Sequence, residues 1–322
     1  MKKLCMPVFY IFLPLIIPMM VGLTFPRATG SRISFPFSNK AEISDTITTL
    51  NIKTKTTEKI PLETYLVGVL AAEMPASYEE EALKAQSVAA RSYIISKMGG
   101  GNPDHPDAQV CTDPNHCKGW LSEEDAKSKW KKGDKNKYWK KLTNAVKSTK
   151  GEYMTYNAEV VEAFFFASSG GKTENSEDVW SSSRPYLRSV ESYGEALSEN
   201  NVSTVTFTRS QFAEKLNPHL SQPLDPSKSP SISEPQRTEG GSVRSINISD
   251  KTFKGTELRS ILGLKSANFT ITQSSDSITF TVKGYGHGVG MSQTGANYMA
   301  KEGHTYKEIL SHYYTDIEFS KL

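Results

Sequence analysis

The chain has 322 residues, with 38 Lys and Arg against 35 Asp and Glu and a formal net charge of +3. That length supports one large domain or two smaller ones with buried cores. Basic and acidic residues of nearly equal number, read as dispersed, supply no basic face, so no nucleic-acid partner is expected.

Lys2 and Lys3 precede an uncharged run from Leu4 to Phe25. The run meets the requirement of about 20 apolar residues for crossing a bilayer. Basic residues before it and a polar body after it predict a single-pass anchor over 4–25, with residues 1–3 cytoplasmic, 26–43 a Pro/Ser-containing linker, and the rest of the chain extracytoplasmic. A signal peptide cleaved near "TFPRATG" is the alternative, and it gives the body the same location. Cys5 lies in the apolar run, which leaves Cys111 and Cys117 as the cysteines of the body.

The segment "DTITTLNIKTKTTEKIPLETYL" predicts a strand, a turn and a helix starting near Pro61. A second helix follows in "YEEEALKAQSVAARSYIISK", with acids in its first turn and Gly99-Gly100 at its end. Residues 101–120 read as a polar loop, and 122–149 as two Lys-rich, Trp-containing helical segments. Two short strands flank Asn157 and run into "SSGGKT"; "DVW" and "SRPYLRSV" continue as loop and strand. Residues 191–268 read as an insertion holding a helix, an irregular Ser/Pro-rich stretch, a strand and a second helix. A hairpin, "FTITQSSDSITFTVKG", a Gly/His turn and two helices close the chain. Mixed elements without βαβ alternation predict an α+β fold: one core domain of 44–190 and 269–322, an inserted subdomain of 191–268, and the N-terminal transmembrane helix.

Four short constellations carry chemistry. His105, Cys111, His116 and Cys117 offer four nitrogen and sulfur ligands within thirteen residues, a set suited to closed tetrahedral zinc. A Cys111–Cys117 disulfide with two solvated histidines is the alternative that the spacing leaves open. "GYGHGVGMSQTGA" alternates glycines in a turn before a helix, where backbone can approach a ligand, and His287, Ser292 and Gln293 can aim hydrogen bonds there; a tight turn with a satisfied histidine is the plain alternative. Ser168 and Ser169 end a strand, but no G-x-S-x-G motif supports a nucleophile. Glu73 ends a helix of apolar and small residues, so its carboxylate faces an interior or cleft, where lost hydration raises the pKa of an acid. Glycoside cleavage usually takes two carboxylates, and no convincing second one stands out: Glu174 and Glu177 read as part of a polar loop.

Together, "AAEMPASYEEEALKAQSVAARSY", the His/Cys loop, "SSGGKTENSEDVW", "SRPYLRSV" and "GYGHGVGMSQTGANYMAKEGHTYKEILSHYYTDI" resemble the stage II sporulation protein D family of amidase-enhancer-like lytic transglycosylases. The resemblance implies a sporulation enzyme of engulfment that cleaves β-1,4 bonds of denuded, stem-peptide-free glycan strands. Its partners would be an amidase/endopeptidase and a polytopic membrane protein. It implies Glu73 as the catalytic acid and His105, Cys111, His116 and Cys117 as ligands of a structural Zn²⁺. On that reading Arg91, Tyr186, Arg188, Ser168, His287 and Gln293 are expected to line the glycan groove. A non-catalytic glycan-binding or amidase-enhancing module, and a zinc amidase of the stem peptide, are the rival readings.

Overall fold

The computed structural model describes residues 44–98, 104–113, 116–195 and 201–322. The expected anchor and linker lie outside them. Among the described residues no helix is long and apolar enough to cross a membrane. The architecture is α+β, with two hydrophobic cores.

The larger core begins with an antiparallel hairpin of β1 (Thr46–Asn51) and β2 (Thr56–Pro61). Pro61, expected at the first helical turn, ends β2 and caps α1 (Leu62–Glu73). Helix α1 buries an unbroken run from Tyr65 to Leu70, because neighbours cover nearly its whole circumference. Helix α2 (Glu80–Met98) buries Ala82, Ala85, Ala89 and Ala90; these short side chains let other helices approach closely. Strand β3 (Val110–Cys111) pairs parallel with β1, setting Cys111 opposite Leu50. Helices α3 (Glu123–Lys129) and α4 (Lys135–Ser148) follow, and α4 packs on α1 and α2.

Strand β4 (Glu152–Tyr156) turns back through Asn157 and Ala158, both at positive φ, into β5 (Glu159–Val160). Then come β6 (Phe165–Phe166) and α5 (Ser176–Val179), a single helical turn where a loop is expected. No strand forms in 183–190, where one is expected; its polar backbone groups are met instead by side chains such as Asn175, which accepts from Ser189 N–H.

The smaller core is built from β7 (Val202–Thr208), α6 (Arg209–Leu216), β8 (Gln236–Arg237), β9 (Val243–Ile248), β10 (Lys251–Lys254), α7 (Gly255–Leu262), β11 (Phe269–Gln273) and β12 (Ser277–Lys283). Its two sheets have strand orders β10-β9-β8 and β11-β12-β7. Along β12 burial alternates, with Ile278, Phe280 and Val282 turned toward Phe207, Phe212 and Phe269. The hairpin β11–β12, expected in the main domain, therefore packs in this second core. Its pairing with β7 decides the matter, since all seven residues of β12 are in register with it, from Ser277 opposite Thr208 to Lys283 opposite Val202. The chain enters and leaves this lobe side by side: Gly284 N–H donates to Asn201 O at 2.7 Å.

Past the lobe, β13 (Met291–Ser292) pairs parallel with β6. Helices α8 (Gln293–Lys301) and α9 (Tyr306–Tyr313) return to α2, and β14 (Glu318–Lys321) pairs with β4. The β6–β13 pairing brings the Gly/His turn beside the Ser-Ser-Gly-Gly turn, where Ser168 and Tyr285 exchange backbone hydrogen bonds of 3.1 and 2.7 Å.

Candidate active site and metal centre

Glu73 is the last residue of α1 and is half-buried. Its Oε1 accepts a 2.7 Å hydrogen bond from Gly119 N–H. Burial raises its pKa above the usual carboxylate value, while the Lys118 ammonium and the Gly119 N–H oppose that rise. Such a group can hold a proton nearer neutrality than an exposed glutamate and release it to a developing negative charge.

Lys118 is itself buried, and the loss of hydration pushes its pKa down to about 8 against the opposing pull of Glu73. Its Nζ lies 3.9 Å from the ring centroid of Phe165 and 4.4 Å from that of Tyr93, so aromatic faces supply part of what water would. Sequence reasoning missed this cation. A single lysine has no motif, and its one signal is its place directly after the ligand-bearing Cys117.

Close passage of the loop over α1 brings Lys118 and Gly119 to Glu73. Leu121 N–H donates to Gly68 O at 3.2 Å, and Trp120 stacks on Tyr65 with centroids 6.3 Å apart. A Cβ on Gly68 would lie 2.3 Å from Trp120 Nε1, so only glycine lets the indole reach this depth.

The four expected ligands also meet. Their ligand atoms all lie within 4.8 Å of one another, and both cysteines are free thiols, not a disulfide. His105 Nε2 is 3.3 Å from Cys117 Sγ, and His116 Nδ1 is 3.4 Å from Cys111 Sγ and 3.5 Å from Cys117 Sγ. The outer ring nitrogens are engaged as well. His105 Nδ1–H donates to Ala108 O at 2.8 Å, and His116 Nε2 is 3.0 Å from Asp104 Oδ2. That leaves one nitrogen of each ring turned inward, an arrangement that can hold a metal ion.

Of the residues expected to line a groove, His287 lies within electrostatic reach of Lys118. Its ring packs against Phe164, Phe166 and Trp180, and Nδ1 accepts from Val289 N–H at 3.1 Å. Burial, with the cations Lys118 and Arg259, lowers its pKa to about 3, so it is neutral. The turn depends on glycine at Gly290, where φ is +78° and a Cβ would stand 2.1 Å from Phe164 O. Ser168 is half-buried in the facing turn.

The other four have partners within the fold. Arg91 is fully buried: its Nε and Nη2 donate to Glu63 at 3.0 and 2.7 Å, and its Nη1 to Glu152 O at 2.9 Å. It therefore clamps α1, α2 and β4 together and lines no groove. Arg188 makes a bidentate pair with Glu177 at 2.7 and 2.5 Å, holding that carboxyl down at a pKa of about 2. Tyr186 is buried, with its hydroxyl accepting from Glu162 N–H at 3.3 Å. Gln293, also buried, donates to Gln86 Oε1 at 3.2 Å on α2.

Glu174, read from sequence as part of a polar loop, is buried. It accepts from Ser242 N–H at 3.1 Å, and burial raises its pKa. Its own N–H donates to Gly288 O, so it joins the Gly/His turn to the smaller lobe.

A family model described as "Stage II sporulation protein" matches residues 51–156, the stretch holding Glu73, Lys118 and all four ligands. Stage II sporulation protein D of Bacillus subtilis (strain 168) is 42% identical over 265 residues, covering 82% of this chain and 76% of that one. The chain belongs to the stage II sporulation protein D family. A second member of the stage II sporulation protein D family, from Bacillus amyloliquefaciens, is 40% identical across 82% of this chain and 75% of its own. The Amidase enhancer of Bacillus subtilis (strain 168) is 32% identical, spanning 77% of this chain and 39% of that longer protein.

Proposed function

We propose that this member of the family is a lytic transglycosylase of peptidoglycan that acts in sporulation. The observation that carries the reading is the half-buried Glu73 carboxylate, with raised pKa and one oxygen tied to Gly119 N–H. The protonated acid gives its proton to the oxygen of a β-1,4 glycosidic bond as the bond to the anomeric carbon breaks. The 6-hydroxyl of the same muramic acid residue attacks that carbon, and its proton passes to the Glu73 carboxylate. One strand end leaves with a free 4-hydroxyl, the other with a 1,6-anhydro ring. A single carboxylate suffices because the sugar brings its own nucleophile. Lys118, fixed beside the acid, stabilises the carboxylate formed between the two proton transfers.

The metal is proposed to be Zn²⁺ in a structural role. In a tetrahedral zinc complex neighbouring nitrogen and sulfur ligands lie roughly 3.3–3.8 Å apart, and three of the separations here are 3.3, 3.4 and 3.5 Å. Two imidazoles and two thiolates would fill a four-coordinate shell and leave no position for a reacting water. His105, Cys111, His116 and Cys117 would hold the ion and thereby fix the loop that presents Lys118 and Gly119.

On this reading the substrate is the denuded strand left after an amidase has removed the stem peptides, a pairing consistent with a relative named Amidase enhancer. The apolar run Leu4–Phe25 would anchor the protein, with its catalytic body outside the cytoplasm, beside an amidase/endopeptidase and a polytopic membrane partner. The test is to incubate the protein with denuded glycan strands and analyse the reducing ends. Anhydro ends that disappear with Glu73→Gln are expected. Strands bound but never cut would instead favour the amidase-enhancing module.

A further inference from the structure

The near balance of charges over the whole chain hides a sharp segregation. Residues 127–150 hold ten lysines and one acid, Asp134, or +9 within 24 residues; the total of +3 then leaves −6 for the other 298. The fold concentrates that charge further. Helix α4 buries Leu142, Ala145 and Val146 on one side, and the 3.6-residue period sets Lys137, Lys140 and Lys147 on the other. Lys129, Lys131 and Lys132 continue the stripe through the end of α3 and the turn into α4. All six are exposed. None has a carboxylate partner among the described residues, whereas Lys127 nearby is paired with Glu123 at 2.6 Å.

The surroundings indicate what such a stripe would hold. Trp130 and Tyr138 meet edge-on beside it, with centroids 5.6 Å apart, and both are half-buried. Rings lying flush with the surface can stack on sugar faces. Among the described residues the large apolar side chains that do project are Tyr193, Val202, Tyr285 and Leu322, none of them in this region. A lipid-inserting face instead buries projecting apolar groups in the headgroup boundary. Lysine without arginine supplies flexible point charges in place of rigid bidentate forks, which suits carboxylates spaced along a flexible polymer. The helix that carries the stripe also reaches the segment that follows Glu73: Lys141 donates to Tyr78 O, five residues on in the chain.

We propose that this lysine stripe is an exosite for the stem-peptide-free glycan strand. Removing the peptide frees the lactyl carboxylate of each muramic acid residue, so the strand gains one negative charge per disaccharide that the peptide-bearing strand lacks there. The stripe reads that charge. It thereby explains how a protein with a single catalytic acid distinguishes an amidase-treated strand from an untreated one. The inference rests on the glycan reading above.

The test compares full-length protein carrying Glu73→Gln, so that strands are bound without being cut, with the same protein bearing Lys→Gln at the six stripe positions. Affinity for denuded strands at low salt is expected to fall by about tenfold or more, and its salt dependence to flatten. Strands capped as methylamides at their lactyl carboxylates should bind the parent as weakly as uncapped strands bind the six-position variant. Lys→Arg at the same positions should retain binding. Equal affinity of parent and Lys→Gln protein, or of capped and free strands, overturns the proposal, as does a lysine dependence seen only with anionic phospholipid vesicles. Failure of the catalytic reading shows separately, as a protein with Glu73 intact that makes no anhydro ends whatever its affinity.

Discussion

Gly119 N–H donates to the Glu73 carboxylate at 2.7 Å across 46 residues of chain, two positions after the candidate ligand Cys117. The candidate metal site and the candidate acid thus meet on one short piece of backbone, Cys117 to Gly119. Each can be perturbed through the other.

Glu73→Gln is expected to abolish anhydro-end formation while leaving the fold intact. Because burial raises the folded-state pKa of Glu73, the folded protein binds this proton more tightly than the unfolded chain does. Stability therefore falls as pH rises from the ordinary carboxylate range through the raised value. The glutamine variant escapes this loss. Thermal melts should show it more stable than the parent at pH 7, with the difference vanishing below about pH 4; a variant less stable than the parent at neutral pH would contradict this environment for Glu73.

Lys118→Met removes a cation that holds the pKa of Glu73 down and also depresses that of His287. Both groups should then titrate at higher pH. Carboxyl and imidazole NMR titrations of the parent and the Lys118→Met variant check both shifts in one experiment. Cleavage should slow at and below neutral pH, because the carboxylate formed during the reaction loses the Lys118 charge, and the difference should narrow above about pH 8, where Lys118 of the parent gives up its own proton.

Metal removal by a chelator is expected to release the segment around Cys117, and with it the contacts of Lys118 and Gly119. Loss of activity should accompany a lower melting temperature, both restored by added zinc. A chelated protein that melts as before but no longer cuts would point to a catalytic ion instead.

Arg91→Met should act on stability. It leaves Glu63 half-covered without its bidentate partner and strips a donor from Glu152 O; losing one side of a buried pair costs on the order of 3–5 kcal/mol. Urea denaturation should place the midpoint well below the parent, and the Arg91→Met/Glu63→Met double variant should recover part of the loss. A variant as stable as the parent but unable to bind glycan would return Arg91 to the groove.

Local pattern made much of this legible. Helices α1 and α2 and the hairpin β11–β12 were read in the right places, because their periodicities and end signals act over a few residues. The Gly/His turn and the His/Cys loop stood out for the same reason, being unusual residue types at short spacing. Membership of the hairpin was misread, since pairing with β7 joins residues about 70 positions apart and no local pattern reports it. Arg91 was misjudged because a charged side chain in sequence carries no sign of whether its partner lies in a ligand or in the fold.

The sequence by itself determined the α+β class, the four metal-ligand candidates and a carboxylate at the end of an apolar helix. Their chemistry is written in residue type and short-range order. Tertiary structure alone decided that Lys118 and Gly119 meet Glu73, that Arg91 is sealed in the core, and that six exposed lysines of α3, α4 and the turn between them form one stripe with no carboxylate partner among the described residues. Those outcomes depend on which helix faces are covered by packing, and packing is settled between segments far apart in the chain.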